Sequence, residues 1–149
     1  ALALSAGCMA VLLALSFRVR VKMGEEADVT PGTQLPDFSI AVEPLPDDGP
    51  VLIQVQYQID PADGAAFLRA IHANEPSRRR NGASDWRVFR DLGVEGRFVE
   101  RFIVTSWAEY QRLRSRMTMT DQQTQEKVEA FLPQGTGIVV TRLLSTNPG

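Results

Sequence analysis

The chain has 149 residues, 44% hydrophobic and 23% charged, with a formal net charge of −2. Its one cysteine excludes a disulfide framework and a cysteine-clustered metal site, and its one histidine excludes paired-histidine metal motifs. The charge balance excludes a strongly basic nucleic-acid binder.

Residues Ala1 to Phe17 carry no charge. As a helix they would span roughly 25 Å, against about 30 Å of bilayer hydrocarbon. Arg18, Arg20 and Lys22 come directly after. A signal peptide would place positive charge before the apolar run, not after it. A buried core helix would need a polar face, and none is visible at helical spacing. The run has no initiator Met and no polar flank, so the expectation is a transmembrane helix entered partway. The basic cluster then puts the rest of the chain on the cytoplasmic side. It also lies within reach of anionic membrane lipid headgroups. Cys8 reads as a small hydrophobe within the run.

Gly24 to Pro50 holds seven acids, no Lys or Arg, and five of the nine prolines. That composition favours an extended, poorly packed tether. Residues 18–50 therefore read as a basic turn followed by an acidic, proline-rich linker. Within it Phe38, Ile40 and Val42 alternate, which predicts a short edge strand in Phe38 to Leu45.

Residues 51–149 read as one α+β domain. Val51 to Ile59 alternates, with Gln54, Gln56 and Gln58 on one face and apolar residues on the other. Asp60 with Pro61 opens a helix whose inward stripe is Phe67, Leu68 and Ile71. Pro76 and Asn81-Gly82 are expected to end it. The next strands are Ser84 to Asp91 and Arg97 to Thr105, joined by a loop containing Gly93 and Gly96. Ser106 and Glu109 form a capping pair, so a helix begins there with Trp107, Tyr110, Leu113 and Met117 on one face. Thr120 is the expected cap of a further helical piece carrying Thr124, Val128 and Phe131. Ile138 to Leu144 is the last strand.

The order β-α-β-β-α-β is the ferredoxin-like arrangement, an antiparallel sheet with helices on one face. The face bearing Gln54, Gln56 and Gln58 is left uncovered. A two-fold homodimer through it is the expected partner arrangement.

The blocks PVLIQVQYQIDPADGAAFL, RNGASDWRVFRD and GRFVERFIVTSWAEYQRLRSRMTMTD carry a resemblance covering Pro50 to Leu144. They resemble the C-terminal region of bacterial major facilitator superfamily exporters of the transmembrane secretion effector group, which is similar to enterobactin exporters. The tail itself resembles antibiotic-biosynthesis monooxygenases of the dimeric α/β barrel type. The resemblance implies the end of a multi-pass inner-membrane exporter of a small molecule, with residues 18–149 cytoplasmic. The tail would be an accessory, dimerising or ligand-sensing domain rather than an enzyme. The alternative is a membrane-tethered, cofactor-free monooxygenase acting on aromatic or polyketide substrates.

Enzymes of this fold are reported to use an Asn, a Trp and sometimes an Arg. That makes Trp86 and Arg90 the catalytic candidates, and Gln54, Gln56, Trp86 and Arg90 the ligand-pocket candidates. No Asn stands on the first strand, and Tyr110 occupies the place where many soluble relatives hold a His. His72 reads as a surface or edge residue, Trp86 sooner as a core or dimer-interface residue than as a catalytic one, and Trp107 as part of a helix stripe. Arg78-Arg79-Arg80 reads as a solvated turn, or as a contact for an anionic lipid or partner. No cofactor, metal or nucleotide loop is indicated.

Overall fold

The structure, a computed structural model, describes residues 39–147. The apolar run with Cys8 and the basic residues Arg18, Arg20 and Lys22 lie outside the described residues. Among those described, no helix is long and apolar enough to cross a membrane.

Four strands form one antiparallel sheet: β1 Val51–Gln58, β2 Ser84–Arg90, β3 Arg97–Val104 and β4 Val139–Leu144. Their order is β2-β3-β1-β4, so the two most buried strands, β1 and β3, lie inside. Among the described residues four α-helices accompany it: α1 Gly64–His72, α2 Glu75–Arg80, α3 Trp107–Ser115 and α4 Met119–Glu129. This is the expected ferredoxin-like α+β arrangement, with each long crossover split into two helical pieces.

The alternation of β1 sends Val51, Ile53, Val55 and Tyr57 to the helices, all buried. Phe67 and Ile71 of α1 meet them with no exposed surface. Burying such a side chain contributes about 1.5–3 kcal/mol. Phe67 packs its ring against Tyr57, Phe98 and Phe131 at centroid distances of 5.3, 5.1 and 5.9 Å.

The other face pairs across all four strands. One row is Phe89, Val99, Gln56 and Val139, and the next is Arg87, Arg101, Gln54 and Thr141. Phe89, Val139 and Leu143 are 44%, 56% and 47% exposed there. Asp85, at φ 46°, breaks the β2–β3 register and aims its carboxylate at Arg87 and Arg101, 3.0 Å from each.

Caps place the helix starts. Asp60 accepts from the Ala62 N–H at 2.9 Å and opens a short 3-10 turn ahead of α1. Ser106 caps α3 by accepting from Glu109 N–H at 3.2 Å. The cap of α4 is Thr118, not Thr120: Thr118 and Asp121 exchange hydrogen bonds, side chain to backbone, in a reciprocal box. Pro76 does not end α1. It stands in the first turn of α2, where a missing N–H costs nothing. Gly96 turns the β2–β3 hairpin at φ +74°, where an added Cβ would also strike the Ile59 carbonyl.

The expected edge strand near Phe38 to Leu45 does not form over the described residues 39–45. The residues directly after it dock by their carbonyls instead. The Trp107 N–H donates to Asp48 O at 2.7 Å and the Ala108 N–H to Pro46 O at 2.9 Å. These are N–H groups of the first turn of α3, which have no partner within the helix. The Trp107 indole N–H donates to Glu43 at 2.9 Å. Residues 43–49 are thus a strap fixed across the start of α3.

Gly49 sits where the strap touches the end of β3. A Cβ there would overlap the Thr105 carbonyl and approach Ser106 Cα to 2.9 Å, whereas one on Gly137 would meet nothing. Gly49→Ala should therefore destabilise the fold by about 1–3 kcal/mol. Gly137→Ala should melt like the parent. Equal thermal melting of the two variants would contradict the strap's close approach.

Candidate functional site

The inward register of β3 contains a charge. Phe98, Phe102 and Val104 point to the helices, and Glu100 stands in the same series with no exposed surface. A carboxylate so placed requires donors. Arg78 Nε donates to Glu100 Oε1 at 2.8 Å. Trp86 Nε1 donates to the same oxygen at 2.8 Å, and the Tyr57 hydroxyl donates to Oε2 at 3.1 Å. Gln125 of α4 extends the network. Its Oε1 accepts from Arg78 at 3.0 Å and from Asn74 at 2.9 Å. Its Nε2 donates to the Tyr57 hydroxyl at 3.2 Å.

Burial alone would raise the Glu100 carboxyl. The Arg78 charge and the hydrogen bonds from Arg78, Trp86 and Tyr57 outweigh it and hold the group below the usual carboxylate range. Burial, then the Glu100 charge, push the Tyr57 phenol upward, so it remains a donor. Burial would lower Arg78, but Glu100 reverses that and keeps the guanidinium charged. Together these groups form a satisfied ionic knot beneath α2 and α4.

The knot forms one wall of a cavity of about 350 Å³. The cavity lies between the helix side of β1 and β4 and the helices α3 and α4. Ile53, Val55, Phe102, Leu113 and Val140 supply apolar surface. At its β4 side, Arg142 Nε donates to the Tyr110 hydroxyl at 2.7 Å, and the guanidinium carbon stands 5.5 Å from that ring's centroid. Arg142 and Val140 also border a second hollow of about 580 Å³, beside residues 39–44 and Trp107. The Tyr110 and Trp107 rings are 5.4 Å apart. The contacts therefore run from the cavity through Arg142, Tyr110 and Trp107 to Glu43 of the strap.

The residues singled out in the sequence are not gathered into this site. Trp86 and Arg90 share the helix-facing side of β2, but neither lines the cavity. Trp86 is 4% exposed with its indole N–H on Glu100, and Arg90 is exposed. Gln54 and Gln56 lie on the opposite face of the sheet. Exposed His72 meets the Trp86 ring edge-on at 5.2 Å. Arg78, read as part of a solvated turn, points inward instead. The signal for it was Glu100, a lone acid in the buried alternation of RFVERFIV, which demands a buried cation. Among the described residues no cluster of His, Cys, Asp and Glu is placed to hold a metal.

Removing the Glu100 charge should leave Arg78 buried and uncompensated. Glu100→Gln should cost about 3–5 kcal/mol of stability, and adding Arg78→Met should recover much of it. Additive losses in denaturant melts would refute the pairing. Acid should weaken the fold for a related reason. Asp121 sits at about 2, because hydrogen bonds from Thr118, Ser77 and Arg80 outweigh its burial. Its folded value lies below the unfolded value of about 3.9, so its contribution is present above that pH and fades as pH falls toward about 2. Asp121→Asn should flatten the stability profile across that window. An unchanged slope would contradict the assignment.

A profile of the family described as transmembrane secretion effectors matches residues 1–148. No curated protein matches the chain in sequence. Similar solved structures include three proteins classed as antibiotic biosynthesis monooxygenases. The one from Caulobacter crescentus has a TM-score of 0.57 at 13% identity, over 68% of this chain and 94% of that one. Its counterpart from Nitrosomonas europaea has 0.55 at 14%, over 72% and 98%. That from Bordetella bronchiseptica has 0.56 at 13%, over 66% and 99%. At such identity the likeness establishes a shared ferredoxin-like fold and no shared chemistry. With the profile spanning nearly its whole length, the chain belongs to the transmembrane secretion effector family.

Proposed function

We propose that this chain is the C-terminal part of a major-facilitator-type exporter of small molecules in the inner membrane. Residues 1–17 are the end of a transmembrane helix, residues 18–50 lead out of the membrane, and residues 51–149 are a cytoplasmic domain. Arg18, Arg20 and Lys22 contact lipid headgroups. The tail senses a small molecule, such as the exported compound, in the cavity between its sheet and α3 and α4.

One observation carries the sensing role. The cavity's Arg142–Tyr110 pair is linked by packed side chains to Trp107, and Trp107 holds the strap by Glu43. The strap is the chain's route back toward residues 1–17. A ligand that shifts Arg142 therefore acts on the segment that leads back along the chain toward the membrane end. Family membership over residues 1–148 supports the same reading, because the match includes the apolar run. The monooxygenase alternative has the fold in its favour, but Trp86 is engaged by Glu100 away from the cavity.

The uncovered sheet face supports a homodimer. It presents Phe89 and Val139 at the two ends of one row and Leu143 two rows away, with Arg87, Arg101, Gln54 and Thr141 between, a mixed surface that a second copy would cover.

Two measurements test this. The gene's reading frame should continue upstream of Ala1 into further hydrophobic segments, and a start codon beside Ala1 would end the exporter reading. Sedimentation of the detergent-solubilised chain should give a dimer at micromolar concentration. Val139→Lys with Leu143→Glu should give a monomer of unchanged helix content. A monomeric parent would remove the dimer.

A further inference from the structure

Arg78 turns inward to Glu100, but the other two members of the Arg78-Arg79-Arg80 series do not follow it. At the end of α2 the side chains of Arg79 and Arg80 are 50% and 59% exposed. Each is held by a carboxylate less exposed than itself, Glu75 at 33% and Asp121 at 4%. The arrangement recurs on α3. Arg112, and Arg116 directly after the helix, are 51% and 48% exposed. Both pair with one carboxylate, Glu109, at 2.6 and 3.5 Å. The two sets are neighbours, because the turn after α2 runs beside α3: a Cβ on Gly82 would stand 3.4 Å from Glu109 Oε2.

Four guanidinium groups therefore share three carboxylates, with the cations outward and the anions beneath. Each guanidinium carries five N–H donors, and the carboxylates engage only one or two of its nitrogens. The surface lies at the end of the domain where the chain arrives from residues 1–42. There the start of β1 meets the end of β3, and the start of β2 pairs beside them. The strap brings Glu43, Asp47 and Asp48 to the same end, but to the first turn of α3. Arg112 and Arg116 stand roughly 8 and 14 Å further along the helix axis than Trp107. Those separations match or exceed a Debye length of about 8 Å, so the strap acids do not cancel the arginine surface.

We propose that the domain docks on the anionic cytoplasmic leaflet of the inner membrane through Arg79, Arg80, Arg112 and Arg116. A guanidinium meets phosphate oxygens through paired N–H groups. Four of them on one outward surface answer a plane of headgroup phosphates rather than one enclosed anion. Residues 18–42 span at most about 90 Å, which leaves a bilayer at residues 1–17 within reach. Docking lays α3 against the headgroups, and α3 is the helix that presents Trp107 to the strap and Tyr110 to the cavity. This inference rests on the reading of residues 1–17 as membrane-embedded and adds a second contact, made by the folded domain.

The test uses the full chain in nanodiscs. Ser115→Cys in a Cys8→Ser background puts a donor fluorophore beside Arg116, and the lipid headgroups carry the acceptor. Energy transfer should be higher with about 30% phosphatidylglycerol than in phosphatidylcholine alone. About 0.5 M salt should remove the gain. Each arginine replaced by Gln should lower the ratio of docked to undocked domain about fivefold. Arg112→Gln with Arg116→Gln leaves the Arg80–Asp121 bridge intact, so its effect is read on an undisturbed α4, with helix content as the check. The fourfold variant should show only the phosphatidylcholine level. Replacing Arg18, Arg20 and Lys22 by Gln should leave the gain in place.

Equal transfer in the two lipids would overturn the docking surface and leave the membrane segment standing. So would a gain that survives in the fourfold variant, or one that disappears with Arg18, Arg20 and Lys22. A chain that does not co-elute with phosphatidylcholine nanodiscs in high salt would end the membrane reading of residues 1–17, and this inference with it.

Discussion

The folded domain depends on one carboxylate that water does not reach. Glu100 occupies a position in β3 where every neighbour in the inward series is apolar. An ion there is tolerated only when it is paired and its lone pairs are filled. The fold meets that condition with donors from three elements: Arg78 from α2, Trp86 from β2 and Tyr57 from β1. Gln125 then ties α4 to the same group through Tyr57 and Arg78. The requirement of one charge thus sets where α2 lies, where α4 lies and which way Trp86 faces. Dispersion and burial make the core, but they are not directional. The ionic network is directional, and it gives the cavity a wall of defined shape.

A second constraint acts at the start of α3. A helix leaves its first N–H groups without intrahelical partners. Ser106 takes one, and the strap carbonyls of Asp48 and Pro46 take two more. The acidic, proline-rich segment therefore does more than span a distance. Its last residues are part of the domain, and its Glu43 reaches the same Trp107 that packs beside Tyr110. Strap, helix start and cavity rim are neighbours because one helix presents Trp107 on one side and Tyr110 one turn along.

The open face of the sheet and the cavity face divide the sequence's polar residues between them. On β1, alternation places Gln54 and Gln56 outward and Val55 and Tyr57 inward. Period-two geometry makes it impossible for all four pocket candidates to meet in one site. A shared neighbourhood in sequence, or a shared strand, does not make a shared pocket.

The sequence by itself determined the four strands, the caps at Asp60 and Ser106, and the ferredoxin-like order. These arise from alternation and from local donors and acceptors within a few residues, which are written along the chain. It also determined the apolar run and the basic cluster directly after it. Tertiary structure alone decided the rest. Thr118 won the cap from Thr120 because Asp121 could answer it within the box. The strap at residues 43–49 is fixed by Pro46 and Asp48, whose carbonyls meet the N–H groups at the start of α3. Arg78 turned inward because Glu100, twenty-two residues later, needed a buried cation. The cavity joins Arg78, Tyr110, Gln125 and Arg142 from four elements. No local rule links residues so far apart. Their meeting depends on which face each element buries, and that is settled only when the sheet and the helices pack.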